Sequence, residues 1–438
     1  METIEPIAGM RNKLIIKVGI IGLIILMLQL AVFFVKEIVY EREATQKNAA
    51  IEVSSKWAGT QNFAGPMLVL PYRDTGIYKS KHYAYILPDV LQVDASVVPE
   101  ERSRGIYKVM LYSSHSRITG SFDSIDLSKL NLATDQVIWK EAAVQVGISD
   151  IKGLNDEVKM QWRNRTLKFS TGAVTKRGDG ILSAEISLNG PEDLANIPFS
   201  ADIHLNGSGQ LLFTPLGKST TVTLSSKWPH PSFTGDILPQ STTVKDSGFS
   251  ATWKSMAHKR KFSQQWTDAQ YNFNDPDKPG SGYNISNSAF GANLYLPVSG
   301  YQKTMRSVKY SMLCILLTFA AFFLIEITRK KSVHPFQYGL IGLALVVFYL
   351  LLLSISEYTG FNAAYIIASF LTIALIAWFV KGILGSLGST GILSLTLLLI
   401  YTYVFTILQL QDFSLLLGSL GLFISLAVIM KYSKKIEW

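Results

Sequence analysis

The sequence predicts an α+β membrane protein. Six transmembrane helices, one N-terminal and five C-terminal, flank a large β-rich domain, sandwich or barrel-like, lying between the first and the second. Three observations predict this. The 438 residues are 48% hydrophobic and only 17% charged, against about 25% charged in soluble domains. The deficit is concentrated at the start and after residue 306. Between those regions, short runs alternate apolar and polar residues with a period of two, the signature of half-buried strands.

The first apolar run, LIIKVGIIGLIILMLQLAVFFV (14–35), is interrupted only by Lys17 and Gln29. About twenty such residues cross a hydrocarbon layer of ~30 Å as a helix. Its apolar core exceeds the roughly 7–15 residues of a cleavable signal, and no small-x-small site follows, so an uncleaved signal anchor is expected. Five further runs, 307–327, 336–356, 361–380, 390–410 and 412–430, have comparable length. None shows barrel-like alternation, and helices satisfy their own backbone groups in lipid. Short-loop charges set the orientation. Arg11 and Lys13, Arg329 to Lys331, Lys381, and Lys431, Lys434 and Lys435 fall on one side, whereas SEYTG and Gln411-Asp412 on the other carry no Lys or Arg. Residues 1–13 and 431–438 are therefore expected in the cytoplasm, 36–306 outside, and 307–430 as a five-helix bundle.

Polar residues within these spans are few. Glu326 lies one helical turn from Arg329 and Lys330, which predicts pairing at the interface. Asp412 is placed to cap the last helix, and Glu357 closes the outer end of the third span. With Asn362 in SEYTGFN, Glu357 and Asp412 are the membrane-junction candidates. No series of buried carboxylates or histidines runs through the spans, which argues against active transport.

Between the spans, 37–59 is rich in helix formers, with Val39, Ala49, Val53 and Trp57 recurring, and predicts a helix ending near Gly59. Thereafter 107–122, 136–149, 157–170, 202–215 and 219–228 alternate and are bounded by Gly, Asn, Asp or Pro, predicting antiparallel strands. The segment 271–291 is turn-rich and reads as a loop. The single cysteine, Cys314, falls in an apolar run, so this domain must be held by its own core rather than by disulfides.

Catalytic and cofactor motifs are missing: no GxxxxGK[ST], HExxH, CxxC or GxSxG occurs. No two of the six histidines have metal-ligand helix spacing, so neither a metal nor a cofactor is expected. The net charge of +9 resides largely beside apolar segments, which points to the lipid bilayer and not to nucleic acid. Gly385, Gly388 and Gly391 read as a tight turn. His115 among Ser113, Ser114 and Ser116 reads as a polar strand face rather than a nucleophile site, and Trp139, Trp162, Trp228, Trp253 and Trp266 as packing more than a ligand groove. The basic runs 79–82 and 258–261 read as solvated faces rather than headgroup contacts.

Trp228-Pro229-His230-Pro231 remains. Each proline fixes its own φ near −65° and biases the preceding residue toward extended geometry, so the segment predicts a stiff corner leaving a strand. Its side chains, with Phe233, are the recognition-surface candidates; no catalytic residue is indicated.

This same region carries a family resemblance. GSGQLLFTPLGKSTTVTLSSKWPHPSFTGDILP (207–239) and GFSATW (248–253) resemble the CreD family of bacterial inner-membrane proteins. So do GPMLVLPY (65–72), VGISDIKGL (146–154), FGANLYLPVSGYQKTMRSVKY (290–310), KKSVHPFQYGLIGLAL (330–345), SISEYTGFNAAY (354–365) and QDFSLLLGSLGLF (411–423). The resemblance implies a multi-pass inner-membrane location, a periplasmic domain and a role in envelope integrity and stress response under a two-component regulon. It also implies tolerance of a nuclease colicin and β-lactam phenotypes, and supplies no catalytic residues. The expected function is thus non-enzymatic: the periplasmic domain binds or braces an envelope component, lipid or protein. The alternative is a lipid or amphiphile carrier at the inner membrane.

Overall fold

The computed structural model describes residues 7–75, 80–171, 180–267, 271–272, 283–294, 300–329, 332–410 and 413–433. Residues 273–282 of the turn-rich segment, and Asp412 with its expected cap, lie outside them. The chain divides into two compact units, residues 1–47 with 298–438, and residues 48–297.

The helical unit contains α1 (Ile7–Trp57, whose last ten residues belong to the other unit), α2 (Gly300–Lys309), α3 (Ser311–Arg329), α4 (Pro335–Thr359), α5 (Phe361–Leu384), α6 (Leu387–Gln409) and α7 (Ser414–Ser433). Among the described residues, five helices are long and apolar enough to cross a membrane: α1, α3, α4, α5 and α6. The sequence expectation is six, one more than meet this criterion among the described residues. The expected span 412–430 corresponds to α7, a helix that is not among the five.

One face of α1, formed by Ile21, Leu28, Val32 and Val35, is buried in the helical core. The spacing of seven, four and three keeps these residues on one stripe. Small residues allow close approach: a Cβ at Gly342 of α4 would sit 2.1 Å from Leu28 Cδ1, the packing that glycines permit between membrane helices. The turn between α5 and α6 uses Gly385 in the left-handed conformation, φ 60°, after which Ser386 caps α6.

The other unit is a β-sandwich. Its strands are β1 (Gln61–Arg73), β2 (Lys81–Ile86), β3 (Val90–Arg104), β4 (Tyr107–Ser124), β5 (Ala143–Ile148), β6 (Lys159–Trp162) and β7 (Arg165–Lys168). There follow β8 (Ser170–Thr171), β9 (Ile181–Glu185), β10 (Ala195–Ser208), β11 (Gln210–Phe213), β12 (Ser219–Ser226) and β13 (Ser232–Gly235). The last are β14 (Ser241–Lys245), β15 (Gly248–Met256), β16 (Gln265–Thr267), the short pair β17 (Tyr271–Asn272) and β18 (Tyr283–Asn284), and β19 (Phe290–Asn293).

A nine-stranded sheet runs β13-β19-β11-β1-β5-β9-β8, with β2 on β1 and β16 on β2; an eight-stranded sheet runs β14-β15-β12-β3-β4-β10-β6-β7. Alternation places Leu91, Val93, Ala95 and Val97 of β3 inward and Gln92, Asp94 and Ser96 outward, as period two requires. The central strand β1 is buried on both faces from Gln61 to Tyr72. One expectation needs correction. The sheets are mixed, because β1 pairs with β11 and β12 with β3 in parallel. Parallel neighbours need long crossovers, and no local residue pattern announces them.

The two sheets share one core. Trp253 of β15 is fully buried. It stacks on Phe290 of β19 at 5.7 Å and meets the edge of Phe233 of β13 at 5.6 Å, so this cluster ties sheet to sheet. Trp253→Ala is expected to lower stability by about 3–5 kcal/mol, measured as the denaturant midpoint of the full-length protein in detergent.

Candidate functional site

The Trp-Pro-His-Pro segment carries the chain from β12 in one sheet to β13 at the edge of the other. It is fastened from within. Trp228 N–H donates to Ser226 Oγ at 3.1 Å, and the indole Nε1–H donates to the His230 carbonyl at 3.0 Å. The His230 ring lies edge-on to the indole at 6.2 Å. His230 is exposed, Trp228 and Phe233 are half-buried, and Phe233 packs inward on Phe249 and Trp253. The three recognition candidates therefore divide by position: Phe233 is built into the core, while His230 and part of the Trp228 ring face outward.

The junction candidates are held by polar contacts. Glu357 accepts a hydrogen bond from Tyr301 of α2 at 3.0 Å and pairs with Arg42 of α1 at 3.9 Å. Asn362 Oδ1 accepts from Gln409 Nε2 at 2.8 Å, linking α5 to α6.

Glu326 differs from its expected role. It does not pair with Arg329; it points into the bundle, 6% exposed, where Oε1 accepts from Lys17 Nζ of α1. The same oxygen accepts from Val333 N–H at 2.9 Å, and Oε2 accepts from the Tyr338 hydroxyl at 2.7 Å. Lys17 also donates to the Val333 carbonyl at 2.7 Å. Sequence proximity to Arg329 misled the reading: Arg329, the last residue of α3, is exposed, and the cation that reaches Glu326 comes from α1. Lys17 and Glu326 are the two opposite charges that interrupt apolar spans near their charged ends, and that shared depth was the available signal.

A second polar cluster lies where the chain leaves α1. Gln61, fully buried, donates from Nε2 to the Asp150 and Asn206 carbonyls, each at 2.9 Å. Gly59 N–H donates to Asp150 Oδ2 at 2.9 Å, and Ser208 Oγ donates to the Ala58 carbonyl at 2.9 Å. The β3–β4 hairpin adds Arg104 on Glu52 at 2.6 Å and Arg102 over the Trp57 ring at 4.6 Å. Lys56 donates to Glu52, and with the Arg104 guanidinium it holds the Glu52 carboxyl below its ordinary value. Nothing in the local sequence marks Gln61, because its partners are distant in the chain.

Other groups considered chemically are placed as follows. His115 of β4 and His204 of β10 are opposite each other across strands and stack at 4.6 Å. Each faces a carboxylate, Asp202 and Asp156 respectively, at 3.3 Å. Ser114 and Ser116 point to the buried face, away from His115. Within the run 258–261, Arg260 is buried, and its guanidinium donates to the Pro215 and Leu216 carbonyls and to Gln264 Oε1. Burial pushes its pKa down to about 10, so it remains charged near neutral pH. Trp162, Trp253 and Trp266 are buried core residues. Among the described residues, no group of three or more His, Cys, Asp or Glu is placed to hold a metal ion.

Multiple membrane-length helices and a β-sandwich interposed in the chain after the first of them define an integral, multi-pass membrane protein. The chain belongs to the CreD family: the family model described as inner membrane protein CreD matches residues 13–438. It is 29% identical over 423 residues to the inner membrane protein CreD of Escherichia coli (strain K12), covering 94% of this chain and 91% of that one. Two solved structures of an M1 zinc metallopeptidase from Deinococcus radiodurans, one with a Tyr-ser-ala substrate bound, are also similar. They are 10% and 9% identical, cover 39% and 42% of this chain and 39% and 40% of theirs, and have TM-scores of 0.22 and 0.20. At such scores the likeness carries no argument about this chain.

The ion pair yields a sharp expectation. Removing one member of a buried pair strands its partner, so Glu326→Gln should cost about 3–5 kcal/mol. The double change Lys17→Met with Glu326→Leu should recover most of that loss. Unfolding titrations of the four forms measure the coupling; strictly additive losses would show that the pair does not act as a unit.

Proposed function

We propose that the chain is a non-enzymatic inner-membrane protein contributing to cell envelope integrity, with its sandwich on the periplasmic side binding or bracing an envelope component. The observation that carries this reading is the buried cluster around Gln61. It fastens the backbone after α1 to β10 and to the loop after β5, in a domain whose core is filled by large side chains such as Tyr112, Phe122, Phe213 and Trp253. A domain gripped where its helix enters suits a bracing role better than one that encloses cargo. Membership in a family of inner-membrane proteins supports the location. The clustering of Arg11, Lys13, Arg329, Lys381 and Lys431 on one side of the predicted spans supports cytoplasmic termini.

Within this reading, the outward face of the Trp228–Pro231 corner is the recognition surface. His230 contacts the partner and Phe233 anchors the corner to the core. His230→Ala is expected to weaken resistance to envelope stress at unchanged expression and unfolding midpoint, whereas Phe233→Ala lowers both resistance and stability. Normal resistance in a stably expressed His230→Ala strain would remove the corner from the proposal.

Topology is tested by cysteine labelling, since the native Cys314 is buried. Leu238→Cys, at a site 73% exposed, should react with an impermeant maleimide in spheroplasts. Labelling that requires lysis would invert the orientation. Gln61→Ala should lower stability by about 2–4 kcal/mol, because two buried carbonyls lose their donor; it should also raise envelope sensitivity. An unchanged unfolding midpoint in Gln61→Ala would sink the claim that this cluster carries load.

A further inference from the structure

An apolar groove runs along the helical unit where α3, α6 and α7 meet. Its volume is about 710 Å³, within the roughly 300–1,000 Å³ of sites that hold small organic ligands. Leu317, Ala321 and Leu324 of α3 form one wall, Ile392 and Leu399 of α6 the other, and Gly421 belongs to α7. The seam between α6 and α7 is tight. The Tyr403 hydroxyl donates to the Leu417 carbonyl, and a Cβ at Gly421 would fall 1.9 Å from the same hydroxyl oxygen. Glycine at 421 is therefore what lets the two helices close beside the groove.

One end of this groove is charged. Arg329, the last residue of α3, lines it together with Ser389 of α6. A Cβ at Gly388 would lie 3.9 Å from Arg329 Nη2, so the guanidinium rests beside the first turn of α6. The dipole of that turn, and those of its N–H groups that the Ser386 cap does not engage, also favour an anion. Among the described residues, no carboxylate lies within ion-pair distance of Arg329. In sequence, Lys330 and Lys331 follow it directly.

The lining extends along α3 from Leu313 to Arg329, about 24 Å at 1.5 Å per residue. One leaflet of the hydrocarbon layer is only about 15 Å deep. A groove longer than a leaflet, apolar along its length and cationic at its end, has the shape and charge of a lipid site. We propose that it binds an anionic phospholipid, one acyl chain lying along the α3–α6 walls and the phosphate on Arg329 at the start of α6. This proposal is independent of the bracing role and of the corner.

The test is native mass spectrometry of the full-length protein in mild detergent, titrated in parallel with phosphatidylglycerol and phosphatidylcholine. The wild type should prefer phosphatidylglycerol by roughly tenfold, the size of one charge-assisted contact. Arg329→Gln should abolish that preference while still binding both lipids weakly. Arg329→Lys should keep most of it, since the point charge remains. Ile392→Trp, which fills the groove, should reduce binding of both lipids alike. Equal binding of the two lipids by the wild type overturns the proposal, as does a preference that survives Arg329→Gln. Competition by millimolar inorganic phosphate that fully displaces the preference, with no effect of Ile392→Trp, would reassign the end to a simple anion site. A lipid-independent dimer whose formation is blocked by Ile392→Trp would give the groove to a second copy of the chain.

Discussion

The helical unit depends on one buried ion pair. Taking Lys17 and Glu326 out of water costs several kcal/mol per charge, and that cost is offset only where the remaining lone pairs and protons are satisfied. Most of them are: Glu326 receives Lys17, the Val333 N–H and the Tyr338 hydroxyl, and Lys17, part-buried, also reaches the Val333 carbonyl. The partners are 309 residues apart, so the pair joins the first helix to helices made after the whole sandwich. A second contact, Arg42 with Glu357 and Tyr301, lies 25 positions further along α1, about 38 Å at 1.5 Å per residue. The two polar clamps are thus further apart than the ~30 Å depth of a hydrocarbon layer. A slip of α1 by one turn, about 5.4 Å, would break both.

The sandwich can occupy the middle of such a chain because its two ends are neighbours. Gln61 begins β1 opposite Leu211 of β11, and Leu211 on its other side faces Ala292 of β19. Entry and exit are two strand spacings apart, about 10 Å, as insertion between helices requires. β11 is therefore the strand that closes the domain, although it is only four residues long. Gly207, just before it, has no side chain because Tyr112 Oη would lie 2.3 Å from a Cβ there. That phenol donates to the Gln210 carbonyl at 2.6 Å, which aligns β10 and β11 across the turn at Gly209.

Much of this architecture was legible from residue order. Apolar runs near twenty residues announced α3 to α6, and period-two alternation announced β4, β10 and β12, because both signals are local consequences of helix and strand geometry. The corner at Trp228–Pro231 was equally readable, since proline restricts its own and the preceding residue's dihedrals. The parallel pairings of β1 with β11 and β3 with β12 were hidden, because strand direction is settled by contacts 150 and 129 residues apart. Glu326 was read against its nearest cations, whereas the cation that reaches it lies 309 residues away in α1. Gln61 gave no signal at all: a buried amide is distinguished only by the carbonyls that surround it.

Four buried or half-buried polar groups share a position in the fold. Glu326 joins α1 to α3 and α4, Glu357 joins α1 to α2 and α4, Gln61 joins the end of α1 to β10, and Arg260 joins the segment after β15 to the segment after β11. Each satisfies backbone or side-chain partners across a joint rather than converging on a common space. A reaction site needs titratable groups that face one another across room for a substrate. The stacked His115 and His204, each turned to its own aspartate, instead occupy the outward faces of adjacent strands. This distribution is what a protein organised around holding helices and sheets in register would carry.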